Sequence, residues 1–211
     1  MRFIGKDPNI IDAYYTATAE GAITAGKPVI VEADGDVAQV VLTALTTPTV
    51  SSRVAYESGA PSYVGVAYDE NSERVVIAYA DGGNSGYGTA VVGSISGTTL
   101  SFGTPVVYKS SNPTKENTPV FDPDNNKVVI AYQWNNTKGY AIVGTVDPSD
   151  NSISFGSEAQ FENNQAVGVS MTYDKGADKF IIFWSENGDA ECLAVTGTVS
   201  ETSISFGSEC K

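Results

Sequence analysis

A five-residue string, VVIAY, occupies Val75–Tyr79 and returns unchanged at Val128–Tyr132; a third form, FIIFW, occupies Phe180–Trp184. The aspartates ahead of these runs, Asp69, Asp122 and Asp174, are 53 and 52 residues apart. Gly93, Gly144 and Gly197 follow at intervals of 51 and 53, and a Phe-Gly pair closes each unit at Phe102-Gly103, Phe155-Gly156 and Phe206-Gly207. Independent landmarks sharing one period define a tandem repeat. A period of about fifty residues confines the chain to arrays of supersecondary units, each of which buries its apolar face against its neighbours.

Within a unit the pattern reads as four strands. Tyr63–Tyr68 precedes a polar turn, Asp69-Glu70-Asn71-Ser72, and Val75–Tyr79 is a continuous apolar run of the kind covered on both faces. The loop Asp81-Gly82-Gly83-Asn84-Ser85-Gly86 follows, because Gly and Asn accept positive φ at little steric cost. Gly88–Ile95 turns at Ser96-Gly97-Thr98 into Leu100–Tyr108, where Gly103 and Pro105 demote the fourth strand to an edge or bulged one. The expected fold is all-β: a β-propeller-like array of three four-stranded repeats preceded by a small N-terminal β segment. A stacked β solenoid is the competing architecture. No Trp-Asp dipeptide points to the WD40 type.

The domain division expected is an N-terminal β segment over 1–47 and repeats over 48–211, with units at about 61–111, 112–163 and 164–211. Three units fall short of the roughly four blades a propeller needs. Pro48–Gly59 reads like the fourth-strand region Pro105–Ser111, so a spare strand precedes the first unit, while the last unit stops at Gly207-Ser208-Glu209-Cys210-Lys211. Two readings stay open: the spare strand completes the last blade, or the array is a part-propeller that closes with neighbours.

Composition excludes several functions. With 25 acidic and 12 basic residues the formal charge is −13, and no Lys/Arg stripe offsets it, which disfavours nucleic acid and anionic membrane surfaces. There is no apolar run of about 18 residues and no signal-peptide core, so membrane insertion is not expected and synthesis in a cytoplasm is. The chain has no histidine, which removes Ser-His-Asp and Cys-His nucleophile activation. No cofactor and no metal centre are expected.

Cys192 and Cys210 are the only cysteines and lie equally far from Glu201. In a hairpin they become approximate cross-strand neighbours, about 5 Å apart at Cβ, so a disulfide and a pair of reduced, packed thiols both remain open. The repeat aspartates Asp69, Asp122 and Asp174 could serve as glycosidase acids, but a turn-forming role explains all three at once. Asp122–Asn126 and Asp174–Asp178 carry oxygen ligands without EF-hand spacing, and Asx turns suit them better than calcium. Tyr79, Tyr132 and Trp184 form one repeat column and read as a packing layer. Trp134 and Tyr140 flank the loop of the middle unit, where the counterparts of Trp134, Asp81 and Glu186, are not aromatic. The candidate binding surface is therefore Trp134 and Tyr140 with Asp81, Asn84 and Tyr87 of the first unit's loop.

In Tyr14–Val40, small residues alternate with Thr and Val, Gly21 and Gly26 mark turns, and Asp34-Gly35 is a two-residue hairpin signal. The run Gly21–Val31 followed by Asp34-Gly35-Asp36-Val37 resembles N-terminal segments of bacteriophage virion proteins, both head-decoration and fibre types. The units, with VVIAY, Asn84–Ala90, Val92-Gly93 and Ser101-Phe102-Gly103, resemble tandem repeats of structural and fibre-like proteins of marine tailed phages. The third unit departs most, with Phe180–Trp184 and Ser185-Glu186-Asn187-Gly188 in place of the usual strand and loop. The resemblance implies a non-enzymatic virion structural protein, a decoration or fibre-like appendage. Its N-terminal segment would dock on other virion proteins, and homo-oligomerisation fits. A receptor- or carbohydrate-binding module that contacts host surface glycan is the alternative, and a glycan-cleaving propeller enzyme the third.

Overall fold

The computed structural model describes residues 18–40, 53–186 and 191–208, and the chain divides into two compact units, Met1–Val50 and Ser51–Lys211. In the first unit, β1 (Val29–Val31) and β2 (Val37–Gln39) pair antiparallel, and Ala19 bridges Val37 in parallel. The turn is one residue longer than the two-residue hairpin expected at Asp34-Gly35: the Glu32 amide donates to the Asp36 carbonyl at 2.8 Å, which leaves Ala33-Asp34-Gly35 as the loop, with Gly35 at φ 90° and its amide donating to the Glu32 carbonyl at 3.0 Å.

The described residues of the second unit are all-β and form three antiparallel sheets, none of which closes into a barrel. Sheet I comprises β3 (Ser62–Asp69), β4 (Arg74–Asp81), β5 (Tyr87–Ser96), β6 (Thr99–Phe102) and β7 (Val106–Lys109). Sheet II repeats it with β8 (Thr114–Asp122), β9 (Lys127–Trp134), β10 (Lys138–Asp147), β11 (Ser152–Phe155) and β12 (Ala159–Glu162). Sheet III holds β13 (Ala166–Asp174), β14 (Lys179–Glu186), β15 (Cys192–Ser200) and β16 (Ser203–Phe206). The expected fourth strand is two strands: β6 and β7 both pair with β5, with a register shift between Gly88 and Thr89. The break falls at the Gly103 and Pro105 region, where Pro has no amide to give the ladder.

Identical local chemistry builds each sheet. The Oδ1 of Asp69 accepts the amides of Asn71 (3.1 Å) and Ser72 (3.0 Å). Asp122 does the same for Asp124 and Asn125, both at 3.0 Å, and Asp174 for Gly176 (2.9 Å) and Ala177 (3.2 Å). Each turn ends on a left-handed residue, Glu73, Asn126 or Asp178 (φ 52–56°). Each first strand carries a bulge at a positive-φ residue, Tyr63, Glu116 or Gly168. The repeat aspartates are thus turn formers.

The sheets pack face to face in chain order, with β3 against β8 and β8 against β13. Between sheets I and II lie Val76, Ala78, Ala90 and Val92 from one side and Val128, Ile130, Tyr132 and Ile142 from the other. Between sheets II and III, Val129, Ala131, Ala141 and Val143 meet Phe180, Ile182, Trp184, Leu193 and Val195. Small residues on the forward face oppose large ones on the backward face, which is why the second strands are apolar on both sides. Gly103 and Gly156 lie under backbone carbonyls of the next sheet, those of Asn151 and Thr202, and a Cβ at either glycine would overlap that oxygen. The Phe-Gly pair is therefore a socket for the neighbouring sheet's turn.

Candidate functional site

Three aromatic residues end the second strands, and each finds a carboxylate. The Tyr79 hydroxyl donates to Glu57 at 3.1 Å, the Tyr132 hydroxyl to Glu158 at 2.7 Å, and Trp184 Nε1 to Glu162 at 3.0 Å. Tyr79 and Tyr132 are fully buried and Trp184 nearly so, so each polar tip needs a partner. A second aromatic covers each one: Tyr56 on Tyr79 (5.4 Å between centroids), Tyr108 on Tyr132 (5.3 Å) and Phe161 on Trp184 (5.1 Å). The column is a packing layer, as its repetition implies.

The residue after the covering aromatic is Glu57, Lys109 or Glu162. At the middle position the sign is reversed, and the site where the repeat breaks is built on that reversal. Lys109 closes β7; its Nζ lies 2.6 Å from Glu158 Oε1 and 2.7 Å from Oε2. The same ammonium sits over the Trp134 ring at 4.3 Å and the Tyr140 ring at 4.8 Å from their centroids. Trp134, the last residue of β9, and Tyr140 of β10 meet edge to face at 5.8 Å, and Tyr140 stacks on Tyr132 at 6.1 Å. The Tyr140 hydroxyl donates to Gln160 at 2.8 Å. Burial, then the neighbouring Glu158 carboxylate, pushes the Tyr132 and Tyr140 phenols above their ordinary value near 10.

The structure therefore brings Trp134 and Tyr140 together, half-buried, around a cation that occupies their ring faces. Trp134 Nε1 is buried with no hydrogen-bond partner among the described residues. Asp81, Asn84 and Tyr87 sit on the preceding loop. Asp81 caps a single 3₁₀ turn, Gly82–Asn84, by accepting the Asn84 amide at 3.2 Å, while Asn84 is exposed and Tyr87 half-buried at the start of β5. The two sets are connected through Pro113-Thr114: the Thr114 amide donates to Gly86, the Asn135 amide to Pro113, each at 3.0 Å, and Thr114 pairs with Trp134. Lys109 and Glu158 were missed from sequence. The sign change in the column aligned on Tyr56, Tyr108 and Phe161 signals Lys109, while no such change marks Glu158.

Asp122, Asp124 and Asp178 bring carboxylate oxygens within 4.8 Å of one another across sheets II and III. The Tyr173 hydroxyl lies 2.7 Å from Asp124 and 2.8 Å from Asp178, and Asn125 Nδ2 donates to Asp122 at 2.9 Å. Cys192 is exposed at the start of β15, whereas its suggested partner Cys210 lies outside the described residues.

No protein-family model matches the chain, and no curated protein matches it.

Proposed function

We propose that the protein is a non-enzymatic structural component of a bacteriophage virion, a decoration or fibre-like appendage. In this reading its three sheets are successive blades of a propeller-like array, displayed beyond an N-terminal docking segment. The observation that carries it is the fate of the recurring polar residues. Asp69, Asp122 and Asp174 bind turn amides, and Glu57 and Glu162, at one repeat position, accept from Tyr79 and Trp184 of the buried aromatic column. Chemistry that recurs is consumed by the scaffold, which suits a module selected for display. Mass spectrometry of purified virions is expected to find the chain at a fixed stoichiometric copy number; its absence from particles overturns the reading.

A glycan-binding surface is the second reading. It is favoured by the half-buried Trp134–Tyr140 pair at the one place where the repeat changes sign. Lys109 already covers those ring faces, so a sugar would have to displace it. A glycan array run with Trp134→Ala decides: binding that persists unchanged removes this surface.

A further inference from the structure

The two ends of the array are complementary. On sheet I, the backward face shows Val64, Val66 and Tyr68 at 47%, 59% and 56% exposure. Their counterparts in the other sheets are more covered: Asn117 (4%) in sheet II and Val169 (6%) and Met171 (7%) in sheet III are buried, and Phe121 and Tyr173, which match Tyr68, are half-buried. On sheet III, the forward face shows Phe183 at 46%, where Ala78 and Ala131 are fully buried. Around Phe183 stand Ile181 and Ala194, with Thr196 in the place of Val92 and Val143. Positions that are core inside the array are surface at both of its ends.

The segment before β3 reveals what belongs on sheet I. Tyr56 packs on Tyr79 and Phe102 as Tyr108 packs on Tyr132 and Phe155, and as Phe161 packs on Trp184 and Phe206. Tyr108 and Phe161 stand on the last strand of the preceding sheet; Val54–Glu57 forms no strand among the described residues, but Tyr56 holds the place that such a last strand would give it. Sheet III has the converse deficit. Among the described residues Cys192–Ala194 of β15 have no strand on the side where β7 and β12 pair with their equivalents. Gly207 repeats the Phe-Gly socket with no carbonyl of another sheet above it among the described residues, and Thr98 of the sheet I turn is the residue equivalent to Asn151 and Thr202.

We infer that two copies of this chain associate head to tail, sheet III of each on sheet I of the other, with Val54–Glu57 completing the partner's third sheet. The inference rests on the propeller-like reading above. An interface between unlike faces either closes or runs on as a filament. Two copies of the three sheets that the described residues form give six, which falls within the about four to eight blades that close a propeller. Closure by two copies removes both apolar ends at once. One position requires adjustment: Gly88 and Gly139 leave room for the rings of Tyr108 and Phe161, whereas Cys192 places a Cβ where the second copy's Tyr56 would lie.

Light scattering on the full chain is expected to give twice the 22.1 kDa chain mass. Val66→Asp and Phe183→Asp, both at exposed positions, should each dissociate the pair at least about tenfold, since a carboxylate in an apolar junction is costly. Mixing the two variants should restore a pair through its one intact junction. Cys192→Gly should tighten association. Circular dichroism confirms that each variant is folded. A monomer at every concentration overturns the inference, as does a dimer sensitive to Val66→Asp but indifferent to Phe183→Asp, which would be a pairing of like faces. Small-angle scattering separates this from the propeller reading: a monomer shaped as an arc of three blades leaves that reading standing, and any other shape removes it.

Discussion

At the junction of sheets II and III, Glu162 ends β12 and reaches Trp184 Nε1 directly from a buried position. At the junction of sheets I and II the same column holds Lys109, and the acceptor for Tyr132 is Glu158, contributed by sheet II itself. The apolar columns are matched residue for residue; the polar solution is inverted. What the array needs is an acceptor at the tip of each aromatic, whichever sheet supplies it. One junction meets the need with a buried carboxylate, the other with an ion pair whose side chains are 12% and 35% exposed. A scaffold requirement fixes the column, and the freedom left in meeting it creates a distinct surface.

The largest effects should come where the junctions are alike. Gly103→Val and Gly156→Val each drive a side chain into a backbone carbonyl and should cost about 3 kcal/mol or more, read by denaturant unfolding. Gly207→Val, where among the described residues a Cβ meets the Thr196 hydroxyl at 2.8 Å and no carbonyl of another sheet, should cost a single chain less, about 1 kcal/mol. Equal losses at all three positions would break the socket comparison.

The next test separates the junctions. Glu162→Ala strands Trp184 Nε1 and the Asn164 amide, which it accepts at 2.6 Å, and should cost about 2 kcal/mol. Glu158→Ala acts on a more exposed pair and should cost about 1 kcal/mol.

Alkaline titration sharpens the contrast. Burial raises the Tyr108 and Tyr132 phenols well above their ordinary value of 10.0, and Glu158 adds to it at Tyr132. Above that ordinary value the unfolded chain loses protons that the native one keeps. Stability should therefore be level below about pH 10 and fall as pH rises toward the raised native values. Tyr132→Phe should flatten part of this decline in pH-dependent melting; an unchanged slope would remove Tyr132 from the account.

The smallest effect concerns the ion pair. A double-mutant cycle of Lys109→Met and Glu158→Gln should give a coupling of about 0.5–1 kcal/mol that weakens with salt. Coupling above that range would mean the aromatic cage shields the pair from solvent.

Much of this architecture is legible in the sequence because period, turn chemistry and strand pattern agree. The aspartates announce turns, and the observed strands match the expected ones to within one or two residues, apart from the split fourth strand. The bulges at Tyr63 and Glu116 were hidden, because neither residue favours positive φ and only packing between first strands imposes it. The candidate site was half legible. Trp134 and Tyr140 stand out as departures from the repeat, but Lys109 is one cation among 12 Lys and Arg. Its partner Glu158 lies 49 residues away, a pairing that only the stacking of sheets creates.

The socket also bears on how such a chain tolerates insertion. The turns before β6 and β16 have two residues between the paired strand ends, Gly97-Thr98 and Glu201-Thr202, whereas the turn before β11 has four, Pro148–Asn151. Yet the carbonyls of Asn151 and Thr202 each lie five residues before the Phe-Gly glycine of their own unit. Length has been added only upstream of the seated carbonyl. A loop graft or peptide tag placed on that upstream side should be carried without disturbing the array, and the same tag two residues later should not.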